Sequence, residues 1–216
     1  MNVSLLLLLL LAAGAALLWW QIRRQSRRLP PRSPTLFSLQ LGDLVQFDGR
    51  DWVVENRLEY DDDGFRWLEY LLRDGRQQGW LSVEEDDWLE LSWYEPVRSA
   101  ASLPAFRPGA ALPQTLTWNG RAYTLRERGK ATLVSSLRAL PQRSDSQEIC
   151  RYGDYEAEDG SLLALELWEK GRQGAPQSDV EPELAEGRRL EPSLVAVLPG
   201  DGRSVYRGES GALPGG

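Results

Sequence analysis

Two hairpin dipeptides, Asp48-Gly49 and Asn119-Gly120, most narrow what this chain can fold into. A two-residue type I′ turn needs positive φ at both central positions, which Asn, Asp and Gly accept and most other residues resist. The sequence around them repeats. Phe47-Asp48-Gly49-Arg50-Asp51-Trp52-Val53-Val54 aligns with Trp118-Asn119-Gly120-Arg121-Ala122-Tyr123-Thr124-Leu125 at an offset of 71, as aromatic, Asp or Asn, Gly, Arg, any, aromatic, any, aliphatic. Further turn signals at Asp61-Asp62-Asp63-Gly64, Asp74-Gly75 and Glu158-Asp159-Gly160 bound short runs of leucine, aromatic and β-branched residues, such as Phe65 to Leu72 and Leu162 to Trp168. Runs of that length between such turns read as strands rather than helices. The prediction is an all-β soluble region made of two similar β-meander units, residues 39–95 and 114–200, joined by a linker over 96–113 rich in Pro, Ala and Ser. Residues 201–216 have little to bury and are expected to form a disordered tail.

Ahead of the β region, Leu5 to Trp20 is an unbroken apolar run, and Arg23, Arg24, Arg27, Arg28 and Arg32 follow it before any acidic residue. Those sixteen residues rise about 24 Å as a helix, and Val3, Ser4, Gln21 and Ile22 extend the span to about 30 Å, the thickness of a bilayer core. Residues 1–22 are therefore expected to form one transmembrane helix, with 23–38 a basic, Pro-rich juxtamembrane linker. A cleaved secretory signal carries its charge before the apolar stretch, whereas here it lies after it. Arginines just beyond a span stay in the cytoplasm, so the expected orientation is single-pass, N-terminus out, with the soluble domain cytoplasmic. Trp19 and Trp20, with Arg23, Arg24, Arg27 and Arg28, are the expected membrane-interface residues, and membrane lipid is the expected partner of the helix.

Beyond Arg32 the charge reverses. Five of the 25 basic residues lie in that cluster, leaving 20 against 32 acidic ones over residues 33–216, a net charge of −12. Such a domain is repelled by nucleic acid, and no nucleic-acid partner is expected. The chain has no histidine, which removes Ser-His and Cys-His nucleophiles, histidine-bearing zinc sites and histidine proton shuttles. Walker A, G-x-G-x-x-G, CxxC and HExxH motifs are absent, so no cofactor and no metal is expected. An EF-hand reading of the acid run fails: with Asp61, Asp63 and Gly64 at loop positions 3, 5 and 6, position 12 is Tyr70 where a Glu is needed. Cys150 stands alone and reads as a small core residue rather than a reactive thiol, for which Arg151 is the only neighbouring cation.

Strand alternation picks out the acids. Along Phe65 to Leu72, side chains of Phe65, Trp67, Glu69 and Leu71 share one face and those of Leu68, Tyr70 and Leu72 the other. Glu166 likewise shares a face with Leu162, Ala164 and Trp168. Central strands with two apolar faces penalise an unpaired carboxylate. Arg50 lies on the face of Trp52 and Val54, and Arg121 on that of Tyr123 and Leu125, so Arg50–Glu69 and Arg121–Glu166 are expected as structural ion pairs. Alternatively, Glu69 and Glu166 face each other across a cleft as paired carboxylates for acid–base work or cation binding. Trp80, Trp88 and Trp93 straddle the acid run Glu84 to Asp87, an arrangement that suits a basic or aromatic partner surface if exposed and core packing if not.

The order Leu41-Gly42-Asp43, Asp48-Gly49, Trp67-x-Glu69-Tyr70, Trp80-Leu81-Ser82-Val83-Glu84, Asn119-Gly120-x-x-Tyr123, Gly129-x-Ala131, Tyr152-x-x-Tyr155 and Leu165-Glu166-x-Trp168 resembles the bacterial domain of unknown function 4178 over about residues 39–200. The resemblance implies an all-β domain, often attached to membrane or envelope proteins, and brings no catalytic residues to transfer. Arg172 to Arg189 is a loosely patterned insertion relative to it. The expected function is a membrane-anchored cytoplasmic β module that binds an unidentified protein partner as an adaptor or scaffold. Two alternatives stand beside it: a small-molecule or ion sensor using the cleft between the units, and an enzyme or enzyme subunit working through Glu69 and Glu166.

Overall fold

The computed structural model describes residues 32–98, 103, 106, 111–138, 149–169 and 182–203. The chain divides into two compact units, Met1–Ser33 and Pro34–Gly216, and every described strand belongs to the second. These strands are β1 Leu44–Phe47, β2 Arg50–Asp62, β3 Phe65–Asp74, β4 Gln77–Glu85, β5 Leu89–Pro96, β6 Thr115–Trp118, β7 Arg121–Ser136, β8 Ile149–Ala157, β9 Leu162–Glu169, β10 Pro182–Leu190 and β11 Ala196–Leu198. A single 3-10 turn, Pro192–Leu194, is the one helical piece among the described residues, so the fold is all-β as expected. Both hairpin dipeptides adopt positive φ at both positions, 52° and 70° at Asp48 and Gly49, 49° and 76° at Asn119 and Gly120. They connect β1 to β2 and β6 to β7.

The antiparallel order β2-β3-β4-β5-β10-β9-β8-β7 returns to β2 through a β2–β7 pairing, closing one eight-strand barrel. Four of its strands precede residues 96–113 and four follow, so the ring is a single barrel and not two separate sheets. Closure leaves the ring no unpaired edge. The two long strands make it work. β2 pairs with β1 through Arg50–Val53 and with β7 through Leu58–Asp61. β7 pairs with β6 through Arg121–Thr124 and with β2 through Thr132–Ser136.

Bulges in these same strands decide which side chains enter the barrel. An extra residue in one strand turns every later side chain to the opposite face. In β2 the register shifts between Val54 and Asn56, so Trp52 and Val54 point one way while Leu58 and Tyr60, opposite Glu69 and Trp67, point the other. In β7 the shift lies between Leu125 and Glu127. Tyr123 and Leu125 therefore pack in one cluster, and Glu127, Gly129 and Ala131 face Asp154, Tyr152 and Cys150.

Three apolar clusters result. The first joins β1 to β5 around Phe47, Trp52 and Trp93, with ring centroids 4.6 to 5.5 Å apart. The second joins β6 to β10 around Trp118, Tyr123, Leu163, Leu165 and Leu184. The third, with Leu58, Tyr60, Ala131, Leu133, Cys150 and Trp168, lies on the opposite face of the same ring strands. Cys150 is thus a buried core residue. Serving two clusters with alternate residues is why the strands look apolar on both faces.

Several expectations are corrected. The loosely patterned stretch Arg172 to Arg189 contains most of β10, which joins β5 to β9 and completes the ring. Its polar residues meet polar neighbours on adjoining elements: Arg189 bonds Glu156 at 3.1 Å, Glu186 accepts from Asn119 at 2.9 Å, and Arg188 pairs with Asp48. The segment 96–113 is packed where it is described. Val97 N–H donates to the Leu184 carbonyl at 2.8 Å, and Phe106 and Leu112 are buried in the second cluster. Asp201 to Arg203, placed in the expected tail, lie against the body: Gly200 N–H donates to Asp43 at 2.8 Å and the Arg203 carbonyl abuts Gly42. Among the described residues no helix is long and apolar enough to cross a membrane. The run Leu5 to Trp20, the interface residues Trp19, Trp20, Arg23, Arg24, Arg27 and Arg28, and residues 204–216 lie outside the described residues.

Candidate functional site

The faces turned inward by the two bulges enclose a cavity of about 120 Å³, and all eight ring strands contribute to its wall. Six of the lining residues are acidic: Glu69 on β3, Glu84 on β4, Glu127 on β7, Asp154 on β8, Glu166 on β9 and Glu183 on β10. Six more are aromatic, Tyr60, Phe65, Trp67, Trp80, Tyr94 and Tyr152. No basic residue lines the cavity among the described residues. The aromatic wall is ordered by direct ring packing. Tyr60 stacks on Trp67 at 5.0 Å, and Trp67 meets the edge of Tyr152 at 5.4 Å.

Register puts like charges opposite each other. Glu127 stands opposite Asp154, Glu166 opposite Glu183, and Glu84 opposite Glu90. Directly opposed like charges destabilise a sheet. Asp154 feels this most: it is enclosed by protein while keeping surface toward the cavity, and it has no hydrogen-bond or ion-pair partner among the described residues. Burial, reinforced by Glu84, Glu127 and Glu166, pushes its carboxyl up to about 8. Burial also raises Glu84, against a hydrogen bond of 2.8 Å from the Ser82 hydroxyl. Tyr94 and Tyr152 are held above the ordinary phenol range, first by burial, so both present neutral hydroxyls at neutral pH.

The wall of the cavity continues to the β4–β5 turn. A second recess, of about 270 Å³, is lined by Asp86, Asp87, Trp88 and Glu90 together with Phe65, Glu84 and Glu127, the last three being walls of the first cavity too. Trp88 is 66% exposed there, and its indole N–H donates to Glu90 at 2.6 Å.

Of the residues singled out in the sequence, Glu69 and Glu166 both line the cavity. Their expected partners are corrected. Arg50 bonds Asp74 at 2.7 Å and sits 4.9 Å over the Trp52 ring, and Arg121 pairs with Asp159 at 3.1 Å. Both arginines precede the bulge in their strand and lie far from the glutamates in register: Leu58 is opposite Glu69, and Tyr152 is opposite Glu166. The glutamates instead accept indole N–H groups two residues away, Glu69 from Trp67 at 3.4 Å and Glu166 from Trp168 at 2.9 Å. The tryptophan trio also separates. Trp93 is buried in the first cluster, Trp80 lines the cavity half-buried, and Trp88 alone is an exposed surface residue. Glu84, Glu127, Asp154 and Glu183 were not singled out as site residues, although Trp80-x-Ser82-x-Glu84 and Tyr152-x-Asp154 carry the same period-two mixture of aromatic and acid that marked Glu69.

Residues 40–192 match the family described as Domain of unknown function (DUF4178). The chain belongs to this family. The DUF4178 segment contains all eight barrel strands, and with them every acid of the cavity wall. An uncharacterised protein of Aquifex aeolicus is 26% identical over 172 residues, covering 77% of this chain and 86% of its own. Uncharacterised proteins of Mycobacterium bovis and Mycobacterium tuberculosis are 29% identical over 161 residues, covering 73% of this chain and 70% of theirs. No solved structure matches the chain.

Proposed function

We propose that this DUF4178 protein is a ligand-binding module whose barrel lumen takes a small organic cation, and that it acts as a sensor or carrier of that cation. The observation behind this reading is a cavity walled by six carboxylates and six aromatic rings, with no basic side chain among the described lining residues. An ammonium group answers both halves of such a wall. It neutralises opposed carboxylates in a medium where charge is poorly screened, and it is attracted to Trp and Tyr faces by about 0.5–2 kcal/mol. A metal ion suits the wall less well, because the acids are dispersed: no three metal-ligating side chains converge among the described residues.

Two further parts of the reading rest on sequence pattern. The apolar run at 1–22 and the arginines after it support an anchor with the N-terminus out and the barrel at the cytoplasmic surface. The offset of 71 relates the starts of β1 and β6, the starts of β2 and β7, and the bulged residues Glu55 and Arg126, which supports two similar meander units sharing the barrel. A protein-adaptor role is the second reading, favoured by exposed Trp88 beside Asp86 and Asp87. Its test is the loss of a specific in-cell crosslink on Trp88→Ala.

The lumen reading is tested with the full-length chain in detergent micelles, titrated with butylammonium, butanol and butyrate while tryptophan fluorescence and Tm are followed. Butylammonium is expected to change the fluorescence and raise Tm, and the other two to do neither. Equal responses to butanol, or no response to the ammonium, would sink it.

A further inference from the structure

Beside the proposed cation site lies the recess at the β4–β5 turn, the mouth of the barrel. Phe65, Glu84 and Glu127 belong to both the lumen and the mouth, so the two recesses share a wall. Each carries its own opposed acid pair: Glu127 faces Asp154 across β7 and β8 within the lumen, and Glu84 faces Glu90 across β4 and β5 at the mouth. Asp86 and Asp87 in the β4–β5 turn add charge to the outer pair. A single monovalent cation can sit at one pair and leaves the other without a counter-charge. Phe65, 37% exposed, and Trp88 line the same mouth as Glu84 and Glu90, and their rings are apolar surfaces that suit methylene groups. Asp154 supplies an independent sign of a missing partner, being enclosed, directed into the lumen and without a hydrogen-bond or ion-pair partner among the described residues.

We propose that lumen and mouth form one elongated site for a linear aliphatic polyamine, one ammonium group seated between Asp154 and Glu127 and another between Glu84, Glu90 and the Asp86-Asp87 turn. This rests on the lumen being a cation site and names its ligand class. The aliphatic spacer lies along Phe65 and Trp88, and its flexibility lets successive charges reach acids on opposite sides of the barrel mouth. Joining two ammonium groups makes the second contact intramolecular, which raises affinity without requiring a new kind of contact.

The test is isothermal titration of the full-length chain in detergent with butylamine, 1,4-diaminobutane and spermidine. Affinity is expected to rise at least about tenfold from butylamine to spermidine. In the variant Asp86→Asn/Asp87→Asn/Glu90→Gln the ratio of spermidine to butylamine affinity should fall to about threefold or less. A charge-matched control, Asp51→Asn/Glu158→Gln/Glu191→Gln, alters exposed acids away from the mouth and should keep the ratio. Three results would overturn the elongated site while leaving the lumen as a cation site: equal binding of butylamine and spermidine, an equal loss in the control, or tetralysine binding more tightly than spermidine. No binding by any amine would remove the underlying reading as well.

Discussion

The Tyr152 hydroxyl on β8 donates to the carboxylate of Asp62 at the end of β2, 3.0 Å away, beside the β2–β7 pairing that closes the barrel. The same carboxylate accepts the Lys130 N–H at 3.2 Å. Gly129 makes this approach possible, since a Cβ there would come within 2.1 Å of the Asp62 oxygen and 2.5 Å of the Tyr152 hydroxyl. Closure of the ring and orientation of one cavity wall thus depend on the same three residues.

Loosening that contact should weaken both fold and site. Tyr152→Phe is expected to cost about 1–3 kcal/mol, as for a hydrogen bond to a charged group, and Gly129→Ala a similar amount through overpacking. Urea unfolding measures both. Stabilities indistinguishable from the parent would show that the seam does not depend on this bond.

Stability should fall as pH rises above about 5. The Asp154 carboxyl titrates near 8 in the folded chain against a reference of 3.8, so the folded state holds a proton that the unfolded state releases. Its contribution is fully present below the unfolded value, declines by about 1.4 kcal/mol per pH unit in between, and is lost as pH passes the folded value. The groups facing it, Glu84 from β4, Tyr94 from β5, Glu127 from β7 and Glu166 from β9, bring no positive charge, and the three glutamates reinforce the upward shift of Asp154. Asp61, Glu156 and Asp159 are shifted down and act below this window. Thermal unfolding between pH 5.5 and 8.5 should show a falling Tm, with a flatter profile for Asp154→Asn. Parallel profiles would place the titration elsewhere.

Two tryptophans five residues apart should behave oppositely. Trp93→Ala opens the contact with Phe47 and Trp52 and is expected to cost about 3–5 kcal/mol. Trp88→Ala, at an exposed turn, should stay within about 0.5 kcal/mol of the parent while altering ligand or partner binding. Chemical denaturation separates the two, and comparable losses would contradict this assignment of core and mouth.

Double-mutant cycles distinguish the observed ion pair from the expected one. Arg50 and Asp74 are both more than a third exposed, so Arg50→Met with Asp74→Asn should show a coupling of about 0–1 kcal/mol. Arg50→Met with Glu69→Gln should be additive, because the two side chains lie on opposite sides of the bulge. A clear coupling in the second cycle would mean that the register of β2 differs from the one described.

Much of the fold was legible because its signals are local. Positive φ at Asp48-Gly49 and Asn119-Gly120 is a property of those dipeptides, and the strands Phe65–Asp74 and Leu162–Glu169 follow from short apolar runs between turns. Glu69 and Glu166 were found by alternation within one strand. β10 was not, because Pro182–Leu190 carries few apolar residues and is held as a strand by neighbours on both sides. Glu127 was missed for a related reason: it is ordinary in its own strand and becomes unusual only opposite Asp154.

The sequence by itself therefore determined the all-β class, the hairpins, the period-two placement of acids among aromatics and the acidic charge balance. Tertiary structure alone decided that the strands close into one ring, that Arg50 and Arg121 turn away from the glutamates, and that six carboxylates share a cavity. The physical reason is the bulge. One extra residue at Glu55 and at Arg126 reverses the facing of everything after it, and that reversal is set by pairing with strands distant in the chain.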